Sequence, residues 1–175
     1  MVKTVFLVGY MGSGKTSVGK TMSKIDNYEF YDLDQYIEEM EGKKVSEIFK
    51  DYNEVFFRKI ENRYLKKLCL LDQKKIISTG GGTPCFQNNL DLIKSTPGSI
   101  SVYLKTNIDN LLKRLIDSKS ERPLISHVNN ENDLKEFIGK HLFERGFYYE
   151  KSDLVIDTND KSISEVADNL KRLLI

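Results

Sequence analysis

The chain has 175 residues, 39% hydrophobic and 30% charged, a balance that supports a single folded domain, residues 1–175, and excludes a disordered chain. Lys+Arg number 27 and Asp+Glu 26, so the net charge of +1 gives no general field for nucleic acid or an anionic membrane, and neither is expected as a partner. Two cysteines, Cys69 and Cys85, and two histidines, His127 and His141, stand apart without the paired spacing of a zinc or redox site.

The first predicted strand is Thr4–Val8. Its apolar run is too short for a signal-peptide core or a membrane span, and with the sparse cysteines it sets the expectation of a cytoplasmic protein. Directly after it stands Gly9-Tyr10-Met11-Gly12-Ser13-Gly14-Lys15-Thr16, which fits G-x-x-x-x-G-K-[ST] with a strand before it and a helical period, Val18, Met22 and Ile25, after it. The glycines let successive N–H groups turn toward phosphate oxygens, and the helix N-terminus adds its positive end. Lys15 supplies a mobile charge for the β- and γ-phosphates, and the Thr16 hydroxyl suits Mg²⁺. Residues 9–16 are therefore read as a nucleotide site.

The second predicted strand, Glu29–Leu33, leads into Asp32 and Asp34, which alternation places on one face at the strand's carboxyl end. Such a pair suits a metal and an acceptor hydroxyl; either residue alone equally suits the cap of a following helix. Lys43–Asn53 reads as part of a small subdomain, and Phe57, Ile60, Tyr64 and Leu68 as a buried helical stripe. Arg58 on that helix either pairs with Glu54 or Glu61 or offers a planar fork to a carboxylate. A third strand, Lys75–Thr79, runs into Gly80-Gly81-Gly82, where a ligand can approach bare backbone.

A fourth strand, Ile100–Leu104, precedes a helical stripe of Ile108, Leu111, Leu112, Leu115 and Ile116. Residues 117–133 are polar, contain Arg122-Pro123, and read as a long loop that needs a task. Arg145 follows, open between a local ion pair and a ligand contact. The fifth strand, Asp153–Asp157, and the stripe Ile163, Val166, Ala167, Leu170 and Leu173 close the chain. Strands alternating with helices predict an α/β fold with a parallel sheet covered on both faces.

In this order the cradle, Asp32-x-Asp34, Val45-Ser46-Glu47-Ile48-Phe49, Phe57-Arg58-x-x-Glu61, Ser78-Thr79-Gly80-Gly81-Gly82, Arg122-Pro123-Leu124 and Arg145 ahead of Tyr148-Tyr149 resemble the shikimate kinase family, from Phe6 to about Asn159. The resemblance implies a three-layer P-loop kinase fold with a five-stranded parallel sheet in the order 2-3-1-4-5, a substrate-binding segment at about 33–61, and a mobile lid at 117–133. It implies a monomeric enzyme that uses ATP and Mg²⁺ to phosphorylate the 3-hydroxyl of shikimate. By the same resemblance Gly12, Ser13, Gly14, Lys15, Thr16, Ser17, Arg114 and Arg122 would bind ATP, and Thr16 and Asp32 would hold the metal. Asp34, Arg58, Gly80, Gly81, Gly82 and Arg145 would bind shikimate, with Phe49 and Phe57 around it, and Asp34, Lys15 and Arg122 would carry the chemistry. Thr16-Ser17 stands where the family more often has Ser-Thr, and Asp160-Lys161 where many relatives place an arginine near the adenine.

A carboxylate at Asp34 would repel the phosphate of a nucleoside monophosphate acceptor but can take a proton from a neutral hydroxyl. A gluconate-type kinase needs a similar polyol site and is the nearest alternative. The chain has no Asn-Lys dipeptide and so no Asn-Lys-x-Asp guanine reader, which removes a GTPase switch. A non-catalytic nucleotide sensor would be expected to have lost Lys15, Thr16 or Asp34, and all three are present.

Overall fold

The computed structural model describes residues 2–116, 125, 128 and 130–174. Five strands, β1 (Thr4–Val8), β2 (Glu29–Asp32), β3 (Lys75–Ser78), β4 (Ser99–Lys105) and β5 (Leu154–Asp157), form one sheet in the order β2-β3-β1-β4-β5. Every pairing is parallel. The strands fall where the β-branched and aromatic runs predict them, within a residue at each end.

The helices are α1 (Lys15–Asp26), α2 (Leu33–Glu41), α3 (Val45–Asp51), α4 (Glu54–Cys69), α5 (Asn89–Ser95), α6 (Ile108–Ile116), α7 (Glu131–Tyr149) and α8 (Ile163–Leu174). The central strand β1 is buried along its whole length and serves both faces by alternation. Val5 and Leu7 pack with Val18, Met22, Val166 and Leu170 of α1 and α8. Phe6 turns the other way, to Ile60, Leu65 and Leu68 of α4 and Ile93 of α5. Val8 and Tyr10 meet a third cluster built from α6 and α7, which includes Leu111, Leu115 and Ile138.

Two features depart from the sequence expectation. The strand β2 stops at Asp32 rather than Leu33, because the Asp32 carboxylate accepts the N–H groups of Asp34 and Gln35 and so starts α2 at Leu33. The second is α7, a 19-residue helix that no apolar period announces. Its buried residues are Leu134, Ile138 and Tyr149, while Phe143 is 89% and Phe147 66% exposed, so its apolar side chains surround the axis instead of forming a stripe.

Helix α7 takes over the last three residues assigned to the lid: Glu131–Asp133 form its first turn, capped by Asn130, whose side chain accepts the Asp133 N–H at 2.9 Å. Within the expected lid, Ile125 and Val128 are buried in the α6–α7 cluster and act as apolar anchors. The stretch 117–124, and with it Arg122, lies outside the described residues.

Candidate active site

From β1 the chain crosses by α1 to β2, and from β3 by α5 to β4 on the opposite side, so a crevice opens beyond the carboxyl ends of β1 and β3. A cavity of about 600 Å³ occupies it. One wall is the loop after β1, in which Gly9, Gly12 and Gly14 adopt φ of 145°, 80° and 95°, values that a side chain would make costly. At Gly9 a Cβ would also lie 2.9 Å from the Leu104 carbonyl. Gly14 is the N-cap of α1, so the positive end of that helix faces the cavity.

Lys15 opens α1, and its Nζ folds back to donate to the carbonyls of Gly9 and Tyr10, both at 2.8 Å. Thr16 Oγ1 donates to Asp32 Oδ2 at 2.7 Å, while the other Asp32 oxygen caps α2. Asp32 therefore takes the cap, one of the readings open for it, and keeps its second oxygen on Thr16 at the cavity wall. The Ser13 hydroxyl is buried inside the loop and meets no partner among the described residues. Ser17 lines the cavity beside Thr16. Arg114 of α6 braces the loop from outside, donating to Gly12 O at 3.1 Å and Thr158 O at 3.3 Å. Lys161 completes that wall, its Nζ bound to Asp157 O at 2.8 Å.

Across the cavity stands Asp34. Burial, then the charges of Asp32 and Glu61, push its carboxyl up to about 7, with Lys15 and Arg58 pulling the other way. Glu61 is fully buried, accepting Arg58 Nη1 at 2.9 Å and Thr83 Oγ1 at 2.7 Å. Arg58 also donates through Nε and Nη2 to Glu54 Oε1. Both local pairings open for Arg58 are therefore made, and they use three of the five N–H groups of a guanidinium. Its Cζ lies 4.0 Å from the centre of the Phe86 ring and 5.2 Å from that of Phe57, which packs on Phe49 at 4.6 Å. Phe86 and Phe57 thus form the apolar bed of the guanidinium, with Phe49 behind Phe57. The plane and direction of Arg58 are fixed before any ligand arrives.

The triple glycine joins these parts. None of its residues needs a left-handed backbone; each is a place of close approach. A Cβ at Gly80 would sit 3.1 Å from Asp34 Oδ1, at Gly81 3.3 Å from Met11 N, and at Gly82 2.6 Å from Arg58 Nη2. Arg145 approaches from α7, with its Cζ 6.0 Å from the Tyr10 ring centre. Its charge and that of Arg58 both reach Cys85, although burial dominates and drives that thiol up to about 11.

Of the expected residues, Gly12, Gly14, Lys15, Thr16, Ser17, Asp32, Asp34, Gly80, Gly81 and Arg114 line the cavity, and Ser13 is buried beneath it. Gly82, Arg58, Phe49, Phe57 and Arg145 are not among the residues that line it. The sequence offered Glu61 only as a partner for Arg58, although its place in the stripe Phe57, Ile60, Tyr64, Leu68 signals a carboxylate turned inward. Tyr149 entered only with the resemblance, without a role.

A parallel sheet in this order, with a phosphate-binding loop at the head of α1 and a carboxylate facing it across the crevice, defines a P-loop kinase fold. Comparison with known proteins narrows the class. The family model described as "Shikimate kinase" matches residues 11–174. Shikimate kinases of Flavobacterium johnsoniae and Flavobacterium psychrophilum are 39% and 43% identical over 173 residues, covering 99% of this chain and 99% of each relative. The crystal structure of shikimate kinase from Bacteroides thetaiotaomicron superposes with a TM-score of 0.90 at 34% identity, covering 98% of this chain and 97% of that one. That of Acinetobacter baumannii, in complex with shikimate, gives 0.88 at 31% identity, covering 99% and 93%. The chain belongs to the shikimate kinase family.

Proposed function

We propose that this protein transfers the γ-phosphoryl group of ATP to the 3-hydroxyl of shikimate, giving shikimate 3-phosphate and ADP on the route to chorismate and the aromatic amino acids. The observation that carries the reading is one cavity shared by a phosphate cradle and a buried carboxylate, with an oriented guanidinium at its edge, in a chain of this family. The loop of residues 9–16 and Lys15 would hold the ATP phosphates, with Arg114 fixing the loop and Lys161 bordering the same wall. Arg122, from the proposed lid at 117–133, would add charge over the phosphates. Shikimate would lie beyond the triple glycine, its carboxylate taken by Arg58 and Arg145 and its 3-hydroxyl by Asp34.

In the step itself the 3-hydroxyl oxygen bonds to the γ-phosphorus as the bond to the β-bridging oxygen breaks, and the hydroxyl proton passes to the Asp34 carboxylate. Phosphoryl transfer asks mainly for alignment and neutralisation of charge. Lys15 supplies the second, and Asp34 with the glycine loop supplies the first.

The oxygens of Thr16 and Asp32, 2.7 Å apart and at the cavity wall, are the hard donors that Mg²⁺ takes, in a number that leaves room for water and phosphate. Bound there with ATP, Mg²⁺ would neutralise the β- and γ-phosphate oxygens. ADP release measured side by side with shikimate, gluconate, AMP and no acceptor tests the reading. Release that depends on shikimate and stops with EDTA is expected; release indifferent to the acceptor would refute it.

A further inference from the structure

All three carbonyls of the triple glycine are held. Gly80 O accepts Thr83 N–H at 3.0 Å and Gly82 O accepts Cys85 N–H at 2.9 Å, both within the short 3-10 turn Thr83–Cys85. The middle carbonyl is taken from outside the loop: the phenol of Tyr149, last residue of α7, donates to Gly81 O. A Cβ at Gly81 would come within 3.3 Å of Met11 N of the phosphate cradle, so only a bare backbone fits between the two loops.

Tyr149 is fully buried, packs on the Tyr103 ring at 5.2 Å between centres, and feels the charge of the Arg145 guanidinium one turn earlier. Its one hydrogen bond within the loop is the O–H donated to Gly81 O. A trans peptide is planar, with C=O and N–H opposed, so the bond to Gly81 O also sets the direction of the Gly82 N–H. One side chain thereby fixes the glycine loop.

We infer that Tyr149 is a positioning residue for the acceptor: its hydroxyl locks the Gly81–Gly82 peptide in the arrangement that receives shikimate. It touches no substrate atom and acts through this peptide. The inference rests on the proposed acceptor, and the test separates the two. Turnover of shikimate by the wild-type enzyme bears on the acceptor alone; the variants below bear on Tyr149.

Tyr149→Phe removes the hydroxyl and keeps the ring. The KM for shikimate should rise roughly 3- to 10-fold, the loss expected for one hydrogen bond, while the KM for ATP and kcat stay within about twofold. Since Tyr149 and Arg145 are neighbours on one helix turn and serve the same acceptor, Tyr149→Phe combined with Arg145→Lys should cost less than the product of the single losses. An unchanged KM for shikimate, or equal changes toward both substrates with a falling Tm, overturns the inference. Ring-fluorinated tyrosines at 149 decide the matter if Tyr149→Phe fails to fold, because they keep the O–H and grade its donor strength. The KM for shikimate should then fall as the phenol becomes more acidic, and a flat response refutes the role.

Discussion

Asp34 is protonated in the folded protein over a pH range where an unfolded chain has already lost the proton. Its folded value of about 7 stands above the ordinary 3.8, so the folded state binds the extra proton, and stability from this group falls as pH rises from about 4 through 7. Asp34→Asn removes the clash with Asp32 and Glu61. Its Tm at pH 8 should exceed that of the wild type by several degrees, for a gain of about 1–3 kcal/mol, and the difference should close as pH approaches 4. The same change should lower kcat by about 10²-fold or more, because the amide cannot take the hydroxyl proton. In the wild type, kcat/KM for shikimate should climb through an apparent pKa near 7, where this carboxyl loses its proton in the folded protein. A flat profile would assign Asp34 to contact alone.

The two arginines separate at the same scale. Arg58→Lys and Arg145→Lys each keep the charge and lose the planar fork, so each should cost about 10- to 100-fold in kcat/KM for shikimate, with ATP affinity nearly constant. Only Arg58 neutralises a fully buried carboxylate, Glu61, through a bond whose geometry a lysine does not reproduce. Denaturant melts should therefore show a loss of stability for Arg58→Lys and little for Arg145→Lys.

Elements differ in how openly the sequence declares them. The strand after which Gly9 begins, the stripes of α4, α6 and α8, and the cradle are legible because burial on one side imposes a period and phosphate binding imposes a spacing. Helix α7 obeys neither rule. It is buried at its two ends and at Ile138, and exposes Phe143 and Phe147 between, so no moment develops and its start was absorbed into the polar loop before it. No period marks the burial of Tyr149 either. By contrast the burial of Glu61 is legible in the α4 stripe.

The triple glycine was legible as bare backbone, but its reason is contact rather than φ: Gly82 leaves room for Arg58 and Gly80 for Asp34. Gly82→Ala places a methyl 2.6 Å from Nη2 and displaces the guanidinium. Because that group is the far end of a flexible side chain, melting should fall only modestly while the KM for shikimate rises by about tenfold or more. A full loss of folding with no selective change in KM would mean that the glycine serves packing alone.

At the scale of the molecule, the order β2-β3-β1-β4-β5 puts the loops after β1, β2 and β3 side by side at one edge of the sheet. Those loops carry the cradle, Asp32 with Asp34, and the triple glycine, so residues far apart in sequence meet in one cavity. The relative placing of Arg58 and Arg145 was not legible in the sequence, because it depends on how α4 and α7 pack around the turn Thr83–Cys85. The most direct measurement is the identity of the product. Purified protein incubated with ATP, Mg²⁺ and shikimate should yield one phosphorylated product per ADP, with the ³¹P signal of the ester coupled to the proton on carbon 3. Phosphate appearing only as the free ion, or esterified at another hydroxyl, would contradict the account.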